Sequence, residues 1–257
     1  MPKTFRDILD RDGPIVGAFL QWYSPELVEI MADAGYDYVI LDMEHGQMTE
    51  EQISVLIRTA EAAGIAPQVR IPEVREDLVK HMLDMGATSL KLPGINSAAQ
   101  ARELVKYAKF PPLGERGACP YVRANHWGSG DKTAYYEKAN RETTLAVIVE
   151  SPEGIADIEN IIRVEGIDVI GVGKVDLAVA MGIPGQTDHP RVQEALRHVS
   201  ETCAKYGKFC GTSPNTPEDV VRFKDIPGMK YFNTPAPQVQ FYEIFRRWSD
   251  GIRAFFP

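Results

Sequence analysis

The feature that most restricts this chain is a rhythm. A short apolar, β-branched run is followed by an amphipathic stretch ending at or near Gly or Pro, and the pair recurs eight times. Such alternation predicts parallel strands, because each helix carries the chain back along the face of the sheet. The runs are IVGAFLQW (15–22), DYVILDME (37–44), APQVRIP (66–72), TSLKLPG (88–94), TLAVIVES (144–151), IDVIGVGKVDLA (167–178), KFCGTS (208–213) and MKYFNT (229–234). Helix boundaries are marked between them: Ser24 and Gly35 bracket the first crossover, and Thr49 with Gln52 has capping-box spacing before a stop at Gly64. Eight βα units in 257 residues predict a (β/α)8 barrel spanning 1–257 as one domain, with a doubly wound open sheet as the alternative.

Composition narrows the function classes. With 44% hydrophobic and 25% charged residues, the chain reads as an ordinary soluble globular protein. A net charge of −8 without a Lys/Arg cluster argues against a nucleic-acid partner. The charged start MPKTFRDILDRDG lacks the apolar stretch of a signal peptide, and no run approaches the ~18 apolar residues of a membrane span, so a cytoplasmic protein is expected. Cys119, Cys203 and Cys210 form no CxxC pair, which suits a reducing compartment. The last helix, 237–256, is rich in Phe, Tyr, Trp and Ile, and that aromatic excess points to a subunit interface.

In a barrel, chemistry collects at the C-terminal ends of the strands. Those ends carry Asp42, Glu44 and His45 on the second run, Arg70 on the third, Glu150 on the fifth, and Lys174 and Asp176 on the sixth. Glu150 and Asp176 each follow an apolar run, where a lone carboxylate is costly. Together they suit a hard divalent cation; capping or pairing with arginine is the competing role. Arg70 suits a substrate carboxylate or an enolate oxygen, or a salt bridge to Glu44 or Glu150. His45 beside carboxylates suits a general base, or a hydrogen-bonded loop residue. The GVGKVDLA segment matches a phosphate loop only loosely, but its backbone amides could hold a carboxylate. A long loop, 111–131, carries Arg116, Tyr121, Arg123, His126 and Trp127 and has the makings of a binding loop.

Five segments in order, AGYDYVILDMEHG (34–46), VRIP (69–72), LDMGATSLKLPG (83–94), VIVES (147–151) and GIDVIGVGKVDLAVAMG (166–182), resemble the HpcH/HpaI family of class II 2-oxo acid aldolases. The resemblance implies a barrel that is typically hexameric, with the C-terminal helix exchanged between subunits. It implies pyruvate bound on a divalent cation (Mg²⁺, Mn²⁺ or Co²⁺) and reversible cleavage of hydroxy-oxo acids to pyruvate and an aldehyde. Carried over by position, it makes Glu150 and Asp176 metal ligands and Arg70 the contact to the pyruvate oxygen. His45 with Asp84 becomes a proton-moving dyad, with Asp42 behind it. Backbone amides over Gly173, Lys174, Val175 and Asp176 would hold the carboxylate, Glu44 would support Arg70 or the metal's water, and Arg123 would meet the distal part of the substrate. Three positions depart from the family pattern: Lys174 replaces a proline, Ile148 a glutamine, and YFNTPAPQ a Gly-x-Asp pattern. Decarboxylation of oxaloacetate, addition of its enolate to another acceptor, or carboxylate binding without turnover are the alternatives.

Overall fold

A computed structural model describes residues 4–256. Eight parallel strands close on themselves in chain order: β1 Ile15–Leu20, β2 Tyr38–Asp42, β3 Ala66–Arg70, β4 Ser89–Leu92, β5 Thr144–Val149, β6 Val169–Val172, β7 Phe209–Thr212 and β8 Met229–Thr234. Pairing is parallel throughout and closes through Ile15 opposite Tyr231. The open-sheet alternative is therefore excluded.

The crossovers are α2 (Pro25–Asp33), α3 (Glu50–Ala63), α4 (Glu76–Asp84), α5 (Ala98–Ala108) with α6 (Lys132–Glu142), α7 (Pro152–Ala156) with α8 (Ile158–Ile162), and α9 (Lys174–Ala180) with α10 (Pro190–Lys205). A short α1 (Phe5–Leu9) precedes the barrel and α11 (Pro237–Arg253) follows it. The caps read from sequence are made: Ser24 Oγ accepts from Leu27 N, and Thr49 with Gln52 forms a capping box that ends at Gly64 in the left-handed region.

Three elements differ from expectation. The sixth run is strand only to Val172, and Lys174 opens α9, so half of the apolar run is helical. The 152–166 helix breaks at Asp157, whose Oδ2 accepts from Ala98 N at 2.9 Å and so caps a neighbouring helix. The seventh crossover is a 3-10 turn, Pro217–Arg222, in place of an α-helix, a run with two adjacent β-branched valines.

Strand alternation sorts the side chains. Val39, Leu41, Val69, Leu90, Val147, Val149 and Ile170 point outward and pack beneath the helices. Inward residues fill the barrel: Tyr38 and Tyr231 stack 4.7 Å apart, and Phe5 of α1 meets the Tyr38 ring edge-on at 5.4 Å from below. A Cβ at Gly17 or Gly211 would run into these rings, so glycine is needed at both positions. The interior is thus a packed floor, and a site can form only above it.

Candidate active site

The same alternation puts Asp42, Arg70, Lys91 and Glu150 on the inner face, with Asp42 opposite Arg70 and Arg70 opposite Lys91 across neighbouring strands. Asp42 is fully buried and accepts Arg70 Nε at 2.8 Å and Arg70 Nη2 at 2.6 Å. It also accepts Gln21 Nε2 at 2.9 Å and the backbone N–H groups of Glu44 at 3.0 Å and His45 at 3.3 Å. Burial alone would raise the Asp42 carboxyl, but hydrogen bonds and charge from Arg70, helped by Gln21, leave it below the ordinary carboxylate value. The bidentate fork fixes the plane of Arg70, which also lies 4.5 Å over the Phe19 ring.

Glu44 Oε2 stands 2.8 Å from Arg70 Nη1, but the alignment makes no hydrogen bond, so this buried oxygen has no donor. His45 is well exposed at the rim, with Nε2 3.9 Å from the same oxygen. Glu150 continues β5 into the mouth and accepts Gly94 N at 2.7 Å. Burial raises its pKa, opposed by the Gly94 bond and reinforced by the charges of Asp176 and Glu44. Asp176 lies exposed in the first turn of α9. A Cβ at Gly173 would overlap Glu150 Oε2, so this glycine holds open the space beside the carboxylate.

Among the described residues no three His, Cys, Asp or Glu side chains form a metal cage. The donor set nonetheless fits a hard cation. Glu150 is desolvated and faced by the charges of Asp176 and Glu44, the Glu44 oxygen lacks a donor, and Gly173 leaves room. Two carboxylates leave the remaining coordination positions to substrate and water.

Not every residue singled out from sequence arrives here. Lys174 is buried, with Nζ 5.6 Å over the Phe223 ring, and burial lowers its pKa against the pull of Asp188 and Asp219. Ile148 is buried on the inner face, one pair below Glu150. Asp84 ends α4, just before β4 begins, and therefore lies at the barrel's amino end, opposite His45; it pairs there with Arg116 at 2.6 Å. No His45–Asp84 contact forms within the chain. The 111–131 loop joins α5 and α6 and lies on that same amino end, where Arg123 binds Glu61 and donates to Met85 O at 2.9 Å. Arg123 therefore does not reach the mouth of its own barrel.

Three participants escape a strand-end reading. Gln21 lies just past β1 and contacts Asp42; Gly94 supplies the amide to Glu150; and Lys91 is buried beneath the site, donating to Tyr231 Oη at 2.9 Å. Lys91 alone left a trace in the sequence, as a lysine inside the apolar run TSLKLPG. Burial pulls its pKa down to about 7, assisted by Arg70 and opposed by Glu150 and Asp42.

Comparison with known proteins bears on this arrangement. The sequence model described as HpcH/HpaI aldolase/citrate lyase matches residues 16–216. A hydroxypyruvate/pyruvate aldolase of Delftia acidovorans is 33% identical over 87% of this chain and 82% of its own. Among solved structures, the HpcH/HpaI aldolase of Desulfitobacterium hafniense superposes with a TM-score of 0.88 at 31% identity, covering 97% of this chain and 96% of that one. The citrate synthase SbnG superposes with a TM-score of 0.89 at 28% identity, covering 98% of each.

Proposed function

The chain belongs to the HpcH/HpaI aldolase/citrate lyase family, and on that premise we propose that it is a divalent-metal-dependent class II aldolase. It would cleave a 4-hydroxy-2-oxo acid reversibly to pyruvate and an aldehyde. The observation that carries this reading is Arg70, clamped by the buried Asp42 and set in the mouth with the desolvated Glu150.

Glu150 and Asp176 would hold Mg²⁺, Mn²⁺ or Co²⁺, which supplies Lewis-acid polarisation of the oxo group. Arg70 keeps N–H groups beyond the two given to Asp42, and they are offered to the oxygen on which charge grows as pyruvate becomes its enolate. Arg70 meets the same oxygen in the bound oxo acid, so it contributes to substrate binding before the charge develops as well as after. Gly173 N–H is spent on Val149 O at 3.1 Å, so the amides of Lys174, Val175 and Asp176 that open α9 would receive the carboxylate. His45, exposed at the rim, moves the proton.

An Asp84 partner for His45 must come from another copy, because each chain keeps the two at opposite ends of its barrel. The final helix supports assembly. Phe245, Trp248, Ile252, Phe255 and Phe256 are more than half exposed, a face that one chain alone leaves uncovered. We assign it to a homo-oligomer, a hexamer with exchanged helices in this reading. Arg116 and Arg123 would travel with Asp84 to the neighbouring site.

A second reading, decarboxylation of oxaloacetate or addition of its enolate to an acceptor, is favoured by the likeness to a citrate synthase structure. Incubation with 4-hydroxy-2-oxo acids and separately with oxaloacetate, scoring pyruvate, aldehyde and CO₂, separates the two. Pyruvate with aldehyde, abolished by chelation, supports the aldolase; CO₂ from oxaloacetate without aldol cleavage replaces it.

A further inference from the structure

The clamp on Arg70 does not end at Asp42. Gln21 Nε2 donates to Asp42 Oδ2 at 2.9 Å, and Gln21 Oε1 accepts from Gln238 Nε2 on the first turn of α11. Gln238 Oε1 is buried and has no donor. The polarity of this chain is set at one end. A carboxylate only accepts, so Gln21 must turn its NH₂ toward Asp42, which leaves its carbonyl toward Gln238 and obliges Gln238 to donate. Asp42 accepts five hydrogen bonds in all: Oδ1 takes the N–H groups of Glu44 and His45 and Arg70 Nε, while Oδ2 takes Gln21 Nε2 and Arg70 Nη2.

Gln238 also sits where α11 leaves the barrel. Pro237 is buried and Gln238 half-buried, whereas Val239, Phe241, Tyr242, Ile244 and Phe245 are exposed. The relay therefore joins the root of the apolar helix to the guanidinium at the mouth.

We infer that Gln21 and Gln238 are positioning residues for the oxo-acid-binding Arg70, acting through Asp42. The inference rests on the role given to Arg70 under the proposed function. Without Gln238, the Gln21 amide is free to rotate and its hydrogen bond to Asp42 weakens. Asp42 then holds the guanidinium plane less firmly, and the interaction lost is one with a charged group that substrate binding uses.

The test measures Mn²⁺-dependent deuterium exchange into the methyl group of pyruvate by the full-length protein, as a function of pyruvate concentration. Gln21→Met and Gln238→Met keep side-chain length and remove the hydrogen bonds; each is expected to raise KM about tenfold with kcat within about twofold. Gln238→Glu is the sharper variant. It cannot donate, so Gln21 turns to donate to it and sets its own carbonyl against Asp42; KM then rises beyond that of Gln238→Met. A packing role for Gln238 predicts the reverse order, since Glu is nearly the same shape as Gln. Gln21→Met carries the test from the β1 end should a change at Gln238 unseat α11. Arg70→Lys is measured alongside. A raised KM in Arg70→Lys with unchanged KM in the glutamine variants overturns the relay alone. Unchanged KM in Arg70→Lys overturns the relay and the Arg70 reading beneath it.

Discussion

Lys91 is predicted to destabilise the protein that contains it, and the structure gives the size of the effect. Its amine is fully buried between the Phe19 and Tyr231 rings, 5.3 Å and 4.5 Å away, with Tyr231 Oη as its hydrogen-bond partner. Burial lowers its pKa from 10.5 to about 7. Each pH unit of such a difference is worth about 1.4 kcal/mol, so at neutral pH the folded state bears roughly 4 kcal/mol that the unfolded chain, with its lysine charged in water, does not. The sign follows. Between pH 7 and 10.5 the unfolded chain binds more protons, so stability from this group rises as pH rises, and the penalty is full below pH 7. Lys91→Met removes it, loses one hydrogen bond of about 1 kcal/mol and keeps contact with both rings. The variant should be more stable by roughly 3 kcal/mol at pH 7, a melting temperature about 6 to 12 °C higher. The gain should shrink by about 2 kcal/mol at pH 9. Urea denaturation of both proteins at the two pH values reads this directly. A variant no more stable at pH 7, or a gain equal at both pH values, would refute the reasoning.

Gly173→Ala should lower Mn²⁺ affinity at least tenfold by calorimetry and also lower the melting temperature, because the added Cβ would displace the Glu150 carboxylate and crowd Glu150 Cβ at 2.9 Å and Ile148 Cγ2 at 3.2 Å. Phe245→Glu with Trp248→Glu should shift the protein to a smaller species by light scattering, since both side chains lie on the exposed face of α11. Separately inactive His45→Ala and Asp84→Ala proteins, unfolded and refolded together, should regain activity at about a quarter of the sites if the dyad forms between chains. No recovery in verified mixed oligomers would break that pairing.

The barrel was legible because its inner and outer rows alternate with a period of two and its helices carry their own caps. Where local signals competed, boundaries moved: the apolar residues after Gly173 serve α9 as well as they would a strand, and Asp157 caps α5 instead of continuing its own helix. Asp42, Arg70 and Glu150 were readable as strand-end residues facing inward. Gln21 and Gln238 were not, and Lys91 showed only as a lysine inside an apolar run, because their meaning lies in what faces them from elements distant in sequence. Arg123 teaches a different lesson. Its loop follows a helix and precedes β5, so chain order alone assigns it to the amino end of the barrel, whatever its chemistry suggests.

The central claim is that Arg70, Glu150 and Asp176 form a metal-dependent enolate site. Deuterium exchange into the methyl group of pyruvate tests it without knowledge of the aldehyde. Exchange that requires Mg²⁺ or Mn²⁺, stops on chelation and is lost in Glu150→Gln is the predicted result; exchange that persists without metal, or none under any condition, would contradict it.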